Sequence, residues 1–410
     1  MTNRPQHRGA LGNCVRVALA SAIILVSVFL GAQSAPNANF KVLHTFNGVP
    51  DGGNPEASVT RDRTGSLYGT TYSRGASSNC CGTAFKVDTA GTFTVLHQFG
   101  SPGAYPAAPV VRDAVGNLYG TTTRGGHREA GTIFQLDTTG KLSELYSFLG
   151  AQEGNKDGAF PRAGLVRDAA GDLFGTTSQG GGMTGCSGDL GCGTVFKLDT
   201  FIHETVLHIF TGGADGGVPL GGLVQDQAGN LYGTTSLGGT GAGTVFKVDK
   251  TGVLTVLYSF TGGADGKGPE AGLVQDSAGN LYGTTVGGGA HGFGTVFKVD
   301  TNGTETVLHS FKGFPSDGAG PVADLVQDAA GNFYGTTKLG GKFKSGAVFK
   351  LSTTGKEWLL YSFSGGADGK YPVSALIRDG AGHLYGTTEA GGTTGCGKFG
   401  GCGVVFEIHP

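Results

Sequence analysis

From Phe40 onward the apolar positions come in short runs that alternate with polar ones, and no stretch carries helical periodicity. Between residues 271 and 311 the runs read AGLVQD (271–276), NLYGTT (280–285), TVFKVD (295–300) and ETVLHSF (305–311), parted by turn-forming residues. Each run predicts a short strand, and four strands make one sheet. The phrase LYGTT or a near copy opens at Leu67, Leu118, Leu173, Leu231, Leu281, Phe333 and Leu384, with steps of 50 to 58 residues. A period near 50 without helices predicts a propeller blade.

The turns agree. Asp276 and Gly279 frame the hairpin between the first two strands, and the same Asp-x-x-Gly recurs in every copy, from Asp62/Gly65 to Asp379/Gly382. The ends of the chain complement each other: FKVLHTF (40–46) is a fourth-strand run and GVVFEI (403–408) a third-strand run. A β-helix would not need this split. We therefore predict an all-β fold, a seven-bladed β-propeller of four-stranded antiparallel blades, with the N-terminal strand closing the last blade.

Composition adds a compartment. Arg4, Arg8 and Arg16 precede the apolar run 17–32, which ends in small residues and reads as a secretory signal peptide. The competing reading is a retained anchor, for which the run is short. Residues 1–35 are expected to be removed, leaving 36–410 as a single propeller domain, secreted or periplasmic, monomeric and free of the membrane. Glycine supplies 80 of 410 residues without a collagen period, and the formal charge of −2 gives no reason to expect a nucleic-acid partner.

Six cysteines follow the signal region. Cys186/Cys192 and Cys396/Cys402 share a C-x₅-C spacing before a strand, which favours disulfides over zinc. Cys80 and Cys81 could bridge each other or pair elsewhere.

The recurring elements DG-x-x-P, AGLVQD-x-x-GNLYGTT, GTVFKVD-x-x-G and TVLYSF resemble the GloVer tandem-repeat family of exported bacterial proteins over about residues 40–410. The blades are also similar to NHL-type propellers. The resemblance implies fold and export. It brings no catalytic residue.

The chemistry is harder to place. Glycine runs such as GGTGAG (238–243) precede a strand where a phosphate loop precedes a helix. His44, His97, His208 and His309 share a repeat position with Tyr146, Tyr258 and Tyr361, an interchange that points to packing. Six aspartates (Asp51, Asp157, Asp215, Asp265, Asp317 and Asp368) stand four residues before a proline. They offer calcium an oxygen ring, against the plainer reading of a turn aspartate; otherwise no cofactor is expected.

Departures from the repeat cluster in blades seven, one, two and three. There the residue before the blade-opening proline is Tyr371, Asn54, Tyr105 or Phe160, and the loop RGGHREAG supplies Arg124, His127 and Arg128. This arc is expected to be a ligand surface, making the protein a binding module for carbohydrate or protein. The alternatives are an exported propeller enzyme of the lyase or lactone-hydrolase type, and a purely structural protein. An enzyme should bring unlike acid, base and charge-stabilising groups to one mouth, and the sequence shows no such convergence.

Overall fold

A computed structural model describes residues 39–75, 81–100, 103–150, 156–182, 185–186, 190–392, 396 and 400–410. Seven four-stranded antiparallel sheets follow one another along the chain. In the fifth, Val274–Gln275, Leu281–Thr285, Thr295–Val299 and Glu305–Ser310 pair in sequence order from the axis outward. In the seventh, Asn39–Thr45 pairs antiparallel with Val404–His409 as the outermost strand, which closes the ring as expected. Closure covers the edge that Val404–His409 would otherwise expose.

The innermost strands are shorter than the sequence pattern predicts, with only two paired residues in each blade. Crowding at the axis explains this. A Cβ at Gly221 would lie 2.3 Å from the Ala271 backbone of the next blade, so these segments pack on each other rather than extending the ladder.

The glycine, threonines and tyrosine of the LYGTT phrase each have a structural duty. A Cβ on Gly283 would come within 2.7 Å of the Phe297 ring across the strand pair, so the glycine makes room for phenylalanine. That phenylalanine is stapled to the preceding blade. Phe46–Phe85, Phe99–Phe134, Phe148–Phe196, Phe210–Phe246, Phe260–Phe297, Phe311–Phe349 and Phe363–Phe406 all meet edge to face, with centroids 5.0 to 5.2 Å apart. Each buried ring contributes about 1.5–3 kcal/mol by area, and each pair about 0.5–1.5 kcal/mol more.

The threonines work locally and between blades. The Thr285 and Thr295 hydroxyls meet at 2.9 Å within a blade. Thr234 Oγ1 donates to the Ala271 carbonyl of the next blade at 2.8 Å. The tyrosine hydroxyl donates to the hairpin aspartate, as from Tyr282 to Asp276 at 2.9 Å.

Candidate functional site

One repeat position aims side chains at the channel mouth. The residue before each blade-opening proline adopts a left-handed backbone: Asn54, Tyr105, Phe160, Val218, Gly268, Gly320 and Tyr371 have φ between 54° and 63°. Its N–H is held by a loop of the preceding blade, as from Phe160 to the Ala130 carbonyl at 2.7 Å. Its carbonyl accepts an N–H from its own blade, as from Ser178 at 3.3 Å. Clamped at both ends, the chain turns through the proline toward the axis.

The next residue therefore faces the mouth in every blade. Glu56, Ala107, Arg162, Leu220, Glu270, Val322 and Val373 line one cavity of about 290 Å³, joined by Lys338 and Glu389. Glu56, Arg162 and Glu270 stand on blades one, three and five. Lys338 and Glu389 come from a second equivalent position, just after LYGTT, in blades six and seven. Lys338 Nζ lies 3.1 Å from Glu389 Oε2, and Asn54 Nδ2 donates to the Glu389 carbonyl at 3.0 Å across the closure seam.

These charges act on one another. Burial, aided by the Glu389 carboxylate and opposed by Arg162 and Lys338, pushes Glu56 up to about 7. Burial also raises Glu270, against the pull of Lys338 and Arg162. Deeper in the channel a further cavity of about 220 Å³ has Asp324 in its wall. Burial holds Asp324 above the usual carboxylate range, although it accepts a 2.6 Å bond from the Gly272 N–H. Carboxyls raised toward neutrality beside fixed cations can exchange protons with a bound molecule and stabilise negative charge on it.

The residues expected from sequence lie one step outside this mouth. Tyr105 meets Tyr72 with centroids 5.1 Å apart, the Arg124 guanidinium lies 5.5 Å from the Phe160 ring, and Lys338 and Lys370 lie 5.8 and 4.4 Å from the Tyr371 ring. Arg124 and Phe160 line a side cavity of about 470 Å³ with Tyr72, Gln179 and Val218, which shares Arg162 and Leu220 with the mouth. His127 and Arg128 are exposed and line neither cavity.

Cys186–Cys192 and Cys396–Cys402 are disulfides with Cα–Cα distances of 5.1 and 5.0 Å. Cys80 lies outside the described residues. The six aspartates of the DGxxP element are engaged one by one in their own turns. Asp265, for example, accepts from the Thr261 N–H at 2.6 Å and the Tyr258 hydroxyl at 3.1 Å.

Sequence reasoning missed Glu56, Arg162, Glu270, Lys338, Glu389 and Asp324. A signal existed: the position after an unvarying proline carries Glu, Ala, Arg, Leu, Glu, Val and Val.

The expectation of a binding module is corrected. It rested on the lack of unlike groups converging on one mouth, and acids and cations do converge there. Two solved structures to which the chain is similar carry the names of hydrolases. One is described as a candidate 6-phosphogluconolactonase from Bacteroides uniformis, 18% identical with a TM-score of 0.51 over 78% of this chain and 88% of that one. Another is a puromycin hydrolase variant, 14% identical with a TM-score of 0.52 over 86% of this chain and 53% of that one. At such identity the likeness carries the architecture and no individual residue. No curated protein matches the chain. The model of the Gloeobacter/Verrucomicrobia repeat matches residues 32–186 and 182–400, nearly the whole chain, and the protein belongs to that repeat family.

Proposed function

We propose that this protein is a propeller hydrolase that opens a lactone or ester at the channel mouth. The observation that carries the reading is the meeting of Glu56, Arg162, Glu270 and Lys338 in one cavity. Glu56, raised to about 7, is poised as a general base near neutral pH. Its carboxylate takes a proton from water as the water oxygen bonds to the substrate carbonyl carbon. Arg162 and Lys338 stabilise the resulting oxyanion in a partly desolvated site. When the carbon–oxygen bond to the leaving alkoxide breaks, that oxygen takes the proton Glu56 has just accepted, which returns Glu56 to its carboxylate. The candidate 6-phosphogluconolactonase and the puromycin hydrolase of similar architecture support this reaction class by analogy of fold. We further propose that the enzyme acts outside the cytoplasm, from its basic and apolar N-terminal run together with its paired cysteines.

The test is a pH-stat assay of the purified protein on γ- and δ-lactones and aryl esters. Turnover should rise with pH through about 7 as Glu56 ionises. Glu56→Gln should lower kcat by roughly 10²–10⁴-fold, the usual contribution of a general base. Absence of turnover across the panel, or full activity in E56Q, overturns the reading.

A further inference from the structure

A second cluster of chemistry lies away from the mouth, at the outer joints between blades. Each joint sets three repeat positions against one another: the His or Tyr of a fourth strand, the aspartate of the following DGxxP turn, and the first residue of the next blade's fourth strand. The joint between blades three and four has His208, Asp215 and Leu254; that between blades four and five has Tyr258, Asp265 and Glu305. The joint between blades two and three likewise has Tyr146, Asp157 and Glu204. In two more joints with an aspartate the third position is Phe93 or its register equivalent Phe40, stacked on His44 or Tyr361. One joint, between blades five and six, combines histidine with both acids, as His309, Asp317 and Glu357.

The geometry of that joint suits a metal ion. One ligand atom from each of the three side chains lies within 4.8 Å of the other two. His309 Nε2 is 3.0 Å from Asp317 Oδ2, with side chains only 13% and 4% exposed. Asp317 is itself oriented by the N–H groups of Lys312 and Gly318. Among the described residues Glu357 Oε1 is buried without a hydrogen-bond partner, as are Glu204 Oε1 and Glu305 Oε1 at the equivalent position, but only here does a histidine stand beside the two acids. Two carboxylates and an imidazole thus meet in a partly buried pocket.

We propose that His309, Asp317 and Glu357 bind a divalent transition-metal ion, with zinc the best match to one nitrogen and two carboxylate oxygens. Three protein ligands match the number in zinc sites that keep an open position, and imidazole selects against calcium and magnesium. A metal ion takes the place of the hydrogen between His309 Nε2 and Asp317 Oδ2, and it binds only the deprotonated form of each ligand atom. The ion would pin the fourth strand of blade six, Glu357–Ser362, to that of blade five, Glu305–Ser310.

The chain supplies its own fold-safe controls. His309→Tyr gives this joint the composition found between blades four and five, and Glu357→Leu gives it that found between three and four. His383, Glu407 and His409 form another possible donor group near the surface, so every protein tested carries His409→Ala. After chelator treatment and dialysis, zinc chloride alone is titrated by calorimetry, with melting temperature followed in parallel. The H409A protein should bind one equivalent of zinc and melt higher with it, and calcium should bind far more weakly. H309Y and E357L should each weaken binding by about 100-fold or more, since altering even an outer partner of a metal ligand costs 10–100-fold. Zinc binding unchanged in both variants, or no binding by a folded H409A protein, overturns the site. Lactone turnover is not the readout, so failure here leaves the proposed hydrolase untouched.

Discussion

Two sets of seven equivalent positions behave in opposite ways. Between the blades, the third-strand position is phenylalanine every time, from Phe85 to Phe406, and each ring meets a phenylalanine of the preceding blade. At the channel mouth, the position after the blade-opening proline is Glu56, Ala107, Arg162, Leu220, Glu270, Val322 and Val373. The backbone is repeated at both. What differs is the demand on the side chain. A joint between blades must be filled the same way seven times, because interiors are packed to near crystal density. A mouth that acts on an asymmetric molecule must present unlike groups from unlike directions. In a symmetric scaffold, broken repetition at a constrained backbone position is thus a sign of function, whereas variation in free loops such as 124–131 is weaker evidence.

The largest expected effect comes from breaking the scaffold at its seam. Deleting residues 39–45 removes the strand paired with Val404–His409 and exposes an edge, so cooperative melting should be lost or shifted far downward. A melting curve like that of the intact chain would show that this strand does not close the ring.

Next is a direct contrast between the two sets. Phe297→Ala should destabilise by about 3–5 kcal/mol through a cavity between blades four and five. Glu56→Gln should leave the melting temperature nearly unchanged while removing turnover. Both changes measured by chemical denaturation and by kcat give a crossed result if the comparison is right. A large stability loss in E56Q would instead make Glu56 part of the scaffold.

A subtler difference concerns acid. Burial, with the charge of Asp157 or Asp265, raises Glu204 and Glu305 to about 7. With folded values above the unfolded one, both groups favour the folded state below about pH 4, and that contribution is lost as pH climbs through about 7. The double change Glu204→Gln and Glu305→Gln should therefore raise the melting temperature at pH 9 and leave it nearly unaltered at pH 4. The opposite order would mean that these carboxylates are stabilised as anions.

The smallest effect should come from the loop disulfides. Cys186→Ser with Cys192→Ser opens a short loop, for which the entropy model gives about 2 kcal/mol. The Cys192 carbonyl accepts the Val218 N–H, so loosening this loop should disturb the side cavity near Val218 more than the distant blades. Hydrogen exchange resolved by peptide would measure the difference.

Much of the fold was legible because its determinants are local and repeated. Asp276, Gly279 and Tyr282 specify a hairpin within seven residues of chain, and the same solution recurs in each blade. The complementary runs at 40–46 and 403–408 were enough to predict closure. The charged groups of the mouth were not legible in this way. Glu56, Arg162 and Glu270 are single departures in separate repeats, each more than a hundred residues from the next, and none belongs to a local motif. The left-handed residue at 54, 160 and 268 and the following proline turn each of them toward a common axis. Glu389 reaches Glu56 only because Asn39–Thr45 completes the last blade and brings it beside the first. Local hydrogen bonding and strand periodicity are written in the chain itself; the electrostatic coupling of distant carboxyls and cations exists only once the ring has closed and excluded much of the water between them.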